Sequence, residues 1–517
     1  MSGDLDGLLA RLAAGGIQLR VEEGDKLRYR APKGALTPEL AAEIKSQRAS
    51  ILEHLSQAND TAEGTTIPRL PDAESYALSQ AQWRLWVLMQ MQPEATAYNV
   101  PLHLEFRGDL DTDLVESVFS MLLARHEALR TRFVTINDEP RQVIEAPSPL
   151  SLTRIDLSPE SNPLESAHQL AQQHTEKHFD LEQGPLIRLT LLRLAPLRHV
   201  LLLSLHHIIA DGTSFGILLR EFGSLYAAGK SSRSLEDVLP TVNLQYRDFA
   251  SWQNSRLHHP AVASQGRFWR QQLGGTLPVL ELPTDRPRPP HQTHAGREIL
   301  FNWDVKTTKN INRWCQQSSA TLFMGLVAVV KLLLFRYTGQ RDLIVGSPIA
   351  GRTHPALHDQ IGYYLNTLAL RSSVNPKANS AQHLAGVKES IAAAFDHQDY
   401  PFDFLINELN LQRDLSRSPL FDVMVILQNQ DESGSPIPGL QVDTFLEPST
   451  TSKLDLTFYF KQRADGIHGT IEYNPDLFDE GRIHRMVEHL RNAAEQLANA
   501  TDSPIGDIDL LTGAERI

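Results

Sequence analysis

The stretch His199–Phe222, HVLLLSLHHIIADGTSFGILLREF, decides how the chain folds around its chemistry. Val200 to Leu205 is an apolar run of strand length, interrupted only by the small Ser204, as a strand buried on both faces requires. It delivers His206 and His207 at its end. Neighbouring strand residues point to opposite faces, so one histidine is expected to face the interior and the other a cleft. Asp211 and Gly212 then turn the chain, with Gly212 permitting a backbone angle that other residues resist. Thr213 or Ser214 is expected to cap the following helix, whose apolar face is Ile217, Leu218, Phe222 and Leu225. A histidine pair alone is a weak sign of catalysis. The full string HHxxxDG at a strand-to-helix turn is a stronger one, because loops after strand ends are where a rigid scaffold displays reactive groups. With an ordinary pKa near ~6.5, imidazole offers a neutral nitrogen to take a proton at neutral pH. Asp211 either orients a histidine or holds the turn through an arginine.

Outward from this stretch the chain mixes strands and helices on both sides. Before the proline-rich run Gly274–Gly296, strands are predicted at His103–Phe106 and Arg188–Leu194, and helices at Leu114–Arg125 and Pro163–His178. After it come an apolar helix from Leu322 to Phe335, strands near Leu343, Leu368, Phe421, Leu454 and Ile467, and an amphipathic helix over Asp479–Ala498. Prolines exclude the run itself from helix and central strand, so it reads as a crossover between two lobes. Two lobes also suit 517 residues, because single cores stop growing near about 250–300. The predicted divisions are a separate unit over 1–57, a polar linker over 58–74, lobes over 75–275 and 276–500, and a connector over 501–517. In the first unit, Leu5, Leu8, Leu9 and Leu12 recur at helical spacing. A hairpin turns at Gly24-Asp25, and Thr37-Pro38 opens a second helix. The fold class is α/β (α+β), with a small helix–hairpin–helix module at the N-terminus.

Composition narrows the function. The chain is 41% hydrophobic and 21% charged, and no apolar stretch reaches the ~20 residues that span a bilayer, so no membrane role is expected. A net charge of −13 disfavours a nucleic-acid partner. The start MSGDLDGLL carries acids where a secretory signal needs bases. Cys315 is the only cysteine, which fits a reducing cytoplasm and reads as structural. The scattered histidines form no zinc-type array, and no metal is expected.

Seven strings, in order, resemble the condensation domains of nonribosomal peptide synthetases: SQAQWRLWVL from Ser79, RHEALRTRF from Arg125, HHIIADG from His206, YRDFASW from Tyr246, IGYYLNTLALR from Ile361, HQDYPFD from His397 and RDLSRSPL from Arg413. The resemblance covers about Leu78 to Ala500. The first unit resembles megasynthetase docking domains, and the last residues resemble the linker before an adenylation domain. The chain departs from the family where Thr213 stands in place of a frequent Trp, and where Tyr363-Tyr364-Leu365-Asn366-Thr367 replaces the usual aromatic-aromatic-Val-Asn-Thr.

The resemblance implies two chloramphenicol acetyltransferase-like lobes in a V with a central tunnel. It implies amide formation between a carrier-bound acyl or peptidyl thioester and a carrier-bound aminoacyl acceptor, both on phosphopantetheine arms. No cofactor is bound by the domain itself. His207 is implied as the catalytic residue, as general base or as positioner. His206, Asp211, Gly212 and Arg125 are implied in support, with Arg125 the expected partner of Asp211. Tyr364, Asn366 and Ser79 are candidates for the tunnel. Trp83, Trp86, Phe249 and Trp252 are expected to pack. Expected partners are an upstream donor carrier recruited through the docking unit, a downstream acceptor carrier and an adenylation domain. The motifs look closest to domains taking an L-configured donor residue. Other readings are a starter domain using a fatty acyl thioester, including one of coenzyme A, an epimerisation domain, a free acyltransferase, and a noncatalytic recruiting domain of the same fold. A heterocyclisation domain, which carries Asp in place of the histidines, is disfavoured.

Overall fold

The computed structural model describes residues 18–22, 26–30 and 66–516, the last with short interruptions at 236–237, 412–413, 429–436, 438, 446–449 and 500–502. Met1–Pro68 and Arg69–Ile517 form two compact units. In the first, Gln18–Glu22 pairs antiparallel with Lys26–Arg30, Val21 opposite Leu27, as the Gly24-Asp25 signal predicts. The helices expected over 5–12 and 37–55 lie outside the described residues.

The second unit holds two large mixed sheets. The first runs in the order Leu440–Thr444, Asn99–Gly108, Arg198–His206, Ile187–Ala195, Thr153–Asp156. The apolar strand read from the sequence is central: Asn99–Gly108 and Ile187–Ala195 flank it antiparallel, and Val200 to Leu205 are buried without exception. Each such Leu contributes about 1.5–3 kcal/mol on burial. The second sheet runs Arg297–Trp303, Gly466–Tyr473, Leu456–Arg463, Val423–Leu427, Asp342–Ile349, Asn366–Ser373. Its core includes the helix Leu322–Thr338, buried almost all round, capped by Thr321 and ended by Gly339 at φ 71°. Lys331 in that helix is 1% exposed, and its Nζ donates to the Leu370 carbonyl at 2.7 Å and to Ser372 Oγ at 2.6 Å. Burial draws its pKa down to about 7. Cys315 is buried in the same core, as its packing role requires, and burial pushes its thiol up to about 11.

The lobes depart from the predicted divisions in three places. The chain enters the second core before the proline-rich run: Val262, Trp269 and Leu273, on or just after the helix Pro260–Gln272, already pack there. Conversely, Leu440–Thr444 returns to become the edge strand of the first sheet, and Phe445 packs into the first lobe. The apolar face of a helix or strand is equally suited to either core, so prolines marked the break in regular structure and not the lobe to which each neighbour belongs. The second core also reaches past residue 500, through Ile505, Ile508 and Leu510. No single described helix is long and apolar enough to cross a membrane.

Candidate active site

The buried strand ends at His206, and the next three residues form a single 3-10 turn, His207–Ile209. His206 is fully buried and its Nδ1 accepts from the Ile208 N–H at 3.2 Å. His207 points the other way and lines a cavity of about 1510 Å³ between the lobes. The alternation expected of a strand end therefore holds. The His207 Nδ1 lies 2.8 Å from the Ala210 carbonyl, which only accepts, so Nδ1 carries the proton. Nε2 is left with its lone pair, and no described residue hydrogen-bonds it. Burial first, then the charge of Lys453, draws the His207 pKa down to about 3, so the ring is neutral at neutral pH. Tyr363 stands against it, ring centroids 5.0 Å apart.

The turn after His207 is fixed from the other lobe. Asp211 caps the helix Gly212–Lys230, accepting from Ser214 N at 2.9 Å, so the cap falls earlier than Thr213 or Ser214. The other carboxylate oxygen of Asp211 pairs with Arg352 at 2.6 Å and accepts from Tyr364 N at 3.0 Å. Arg352 also donates to the Gln360 carbonyl at 3.0 Å and to Ser214 Oγ at 3.1 Å. The Ser214 hydroxyl is shared between Asp211 (2.8 Å) and the Gly362 carbonyl (2.9 Å). A second ion pair, Arg84 to Asp403 at 2.8 Å, joins the lobes beside the cavity. The site is thus a histidine held between two lobes, with a lone pair facing a space large enough for extended substrates.

A family model described as the condensation domain matches residues 72–516, most of the chain. The chain belongs to the condensation domain family. A model of the TubC N-terminal docking domain matches residues 6–57, so a docking domain precedes it. Among curated relatives, one polypeptide of the linear gramicidin synthase of Brevibacillus parabrevis is 40% identical over 446 residues, covering 85% of this chain and 8% of that protein. Bacitracin synthase 3 of Bacillus licheniformis is 38% identical over 450 residues, covering 87% of this chain and 7% of that protein. The chain spans less than a tenth of either. Among solved structures, the X-domain from teicoplanin biosynthesis superposes with a TM-score of 0.79 at 26% identity, over 86% of this chain and all of that one. The first condensation domain of the calcium-dependent antibiotic synthetase superposes at 0.70 with 22% identity, over 85% of this chain and 100% of that one, a likeness of fold.

This condensation domain places the sequence candidates unevenly. His207 and Gly212 line the cavity, as does Thr213, where the family often has Trp. Gly212 occupies the first helical turn and is not among the glycines of positive φ, so its freedom is not used there. Arg125 is not the partner of Asp211. It binds Glu221 at 3.1 Å and the Pro240 carbonyl at 2.6 Å, anchoring the same helix farther along. Ser79, Tyr364 and Asn366 are not among the residues that line this cavity. Ser79 forms a capping box with Gln82 and lies 2.7 Å from the Tyr246 hydroxyl. Gln82 in turn donates to the Ile208 carbonyl at 3.2 Å, steadying the histidine turn. Tyr364 is 3% exposed, with the Arg352 guanidinium over its ring. It is Tyr363 that reaches the cavity, one residue earlier, because neighbours along the chain face opposite ways. Asn366 donates to the Gln398 (2.8 Å) and Tyr400 (2.9 Å) carbonyls and accepts from Phe402 N (2.9 Å), tying HQDYPFD to the sheet. Trp83 is 42% exposed and so is not core.

The sequence reading missed Arg352, Tyr363 and Lys453. Arg352 lies 141 residues from Asp211, and no local pattern marks it. Its neighbour Gly351 sits at φ +63°, and a Cβ there would lie 1.9 Å from the Tyr364 carbonyl oxygen. Gly351→Ala is expected to lose about 1–2 kcal/mol from backbone conformation alone, and more from the clash. A denaturant titration of the two proteins measures it; equal midpoints would rule out the close approach.

Proposed function

We propose that this condensation domain forms an amide bond, passing an acyl or peptidyl group from one carrier's phosphopantetheine thioester to the amine of an aminoacyl thioester on another. The observation that carries the reading is the His207 Nε2 lone pair, fixed by the Nδ1 bond to Ala210, facing the cavity between the lobes. Nε2 accepts a hydrogen bond from the attacking neutral amine. As the C–N bond forms, the carbonyl electrons move to oxygen. The amine's surplus proton passes to Nε2, the C–S bond breaks, and the proton is delivered to the departing sulfur as a thiol. With a pKa drawn down to about 3, His207 holds that proton only briefly. Its main work is to align the amine, which favours positioner over general base. Proximity supplies the larger share, since effective molarities reach ~10⁵–10⁸ M in well-oriented reactions.

The matched docking domain supports an upstream donor carrier as partner. It favours a carrier-borne donor over the free coenzyme A thioester of a starter domain. The downstream acceptor carrier and an adenylation domain complete the proposed set, with the reaction placed in the cytoplasm. A recruiting role is the second reading, because an X-domain of this fold was solved in complex with OxyB. The intact His207 lone pair and the Asp211–Arg352 pair beside it favour catalysis.

Intact-protein mass spectrometry of a loaded donor carrier and a loaded acceptor carrier tests the proposal. The acceptor should gain the acyl mass with the unmodified chain. His207→Ala should lose about 10²-fold or more in rate while melting normally. No gain with aminoacyl or fatty acyl donors from a folded sample would move the assignment to recruitment.

A further inference from the structure

We infer that Lys453 is a second catalytic residue of this site, its Nζ donating a hydrogen bond to the thioester carbonyl oxygen and to the oxyanion that forms there. The inference rests on the amide-forming reading above. Attack at a thioester has two polar demands: a lone pair for the amine proton and a donor for the oxygen that takes up negative charge. Neutral His207 meets only the first, because its sole N–H is spent on Ala210.

Lys453 lines the same cavity and is exposed there to solvent-sized space. Its charge reaches His207, His206 and His294, lowering the pKa of each beyond what burial does. Of the arginines in the cavity wall, Arg84 and Arg417 are committed to Asp403 at 2.8 Å and Asp422 at 2.7 Å, and Arg463 stands at the far end of the strand Leu456–Arg463. The Lys453 ammonium makes no hydrogen bond to a described residue. It lies over the Tyr98 ring, 5.4 Å from the centroid, with Glu472 as its counter-charge. Burial pulls its pKa down and Glu472 opposes that, but an amine donates a hydrogen bond in either protonation state.

The position is also rigid. The Lys453 carbonyl accepts from Gln292 Nε2 at 2.9 Å, and Ser452 N donates to the His294 carbonyl at 3.0 Å. Gly296 comes so close that a Cβ would lie 2.1 Å from the Thr451 carbonyl carbon. Two residues on, Asp455 pairs with Arg288. These contacts fix the backbone from which the Lys453 side chain projects, so the ammonium starts from a set position in the cavity wall.

The test is single-turnover transfer between saturating loaded carriers, with the dissociation constants of both carriers measured alongside. Lys453→Met keeps an unbranched side chain of similar length and removes the donor. It should slow transfer about 10²-fold with carrier affinities within about twofold, as loss of one oxyanion donor predicts. Lys453→Cys should be equally slow and should recover on alkylation with 2-bromoethylamine, which rebuilds a lysine-like amine. The unmodified chain treated the same way is the control, because Cys315 is buried with a raised thiol pKa. Transfer by Lys453→Met within about threefold of the unmodified chain would overturn the inference. So would a folded, alkylated Lys453→Cys that stays slow. Failure of the unmodified chain to transfer any donor would remove the amide-forming reading itself, a different result.

Discussion

Arg352→Met is expected to destabilise the Arg69–Ile517 unit by about 3–5 kcal/mol and to abolish transfer by the fraction that remains folded. The Asp211 and Arg352 side chains are 0% and 3% exposed, and they meet at 2.6 Å. Two desolvated charges this close are costly to separate, because the partner left behind stays buried and unpaired. Asp211 would still accept from Ser214 and Tyr364, which places the cost nearer the lower end of that range. The arginine would take more with it, since the Gln360 carbonyl and Ser214 hydroxyl also lose a donor. Asp211→Asn/Arg352→Met removes both charges and should recover part of the stability. It should not recover the activity, because the turn carrying His207 would no longer be fastened to the opposite lobe. Urea unfolding of the single and double variants, beside their transfer rates, separates the two effects. An Arg352→Met protein within about 1 kcal/mol of the unmodified chain would show that the remaining donors suffice. It also follows that loss of activity on changing Asp211 is no sign of a chemical role for that residue.

The second large effect is acid lability. Burial is the leading cause that draws down His103 and His383 to about 4, and His174, His206 and His207 to about 3. The unfolded chain titrates these groups near ~6.5. Between those values the unfolded state binds more protons than the folded one, so stability rises with pH there. It is complete above about pH 6.5 and drains away as pH falls toward 4. Asp422 works in the opposite sense. Burial first, then Asp455, raises it to about 6, so its contribution is present at low pH and fades as pH rises through that value. Burial also raises Glu127, Asp403 and Glu472 and lowers His199 and His294, so the lowered histidines outnumber the raised carboxylates and the net slope near pH 5 is positive, at ~1.4 kcal/mol for each extra proton the unfolded chain binds. A total stability of about 5–15 kcal/mol does not outlast that for long. The melting temperature should be level from pH 8 to 7 and fall steeply below 6.5, and proton uptake should accompany unfolding at pH 5. A melting temperature unchanged between pH 7 and 5 would mean these rings are solvated or charged in the folded state.

The particular residues show how far local reading reaches. The strand from Val200 to Leu205, the turn and the helix after it follow from apolar runs and periodicity, which act over a few residues. They alone put His207 at a strand end with the opposite orientation to His206. The capping box of Ser79 with Gln82 was equally local, an S-x-x-Q pattern before an apolar helix, yet its motif context drew Ser79 toward the tunnel. For Tyr363 and Tyr364 the sequence offered two adjacent rings and no means of telling which one faced the space. Arg125 was a reasonable partner for Asp211 by chemistry, but Glu221 lies nearer to it in the fold.

The sequence by itself therefore determined the strand–turn–helix that carries the histidines, the two-lobed class, the hairpin at Gly24-Asp25 and the place of His207. Only the tertiary structure decided that Arg352 holds Asp211, that Tyr363 faces the cavity in place of Tyr364, that Lys453 lines the same cavity as His207, and that Leu440–Thr444 crosses back to the first sheet. The reason is the range of the forces involved. Hydrophobic period and capping are written into neighbours along the chain, whereas a buried ion pair is set by which surfaces two lobes bring together, here across 141 residues.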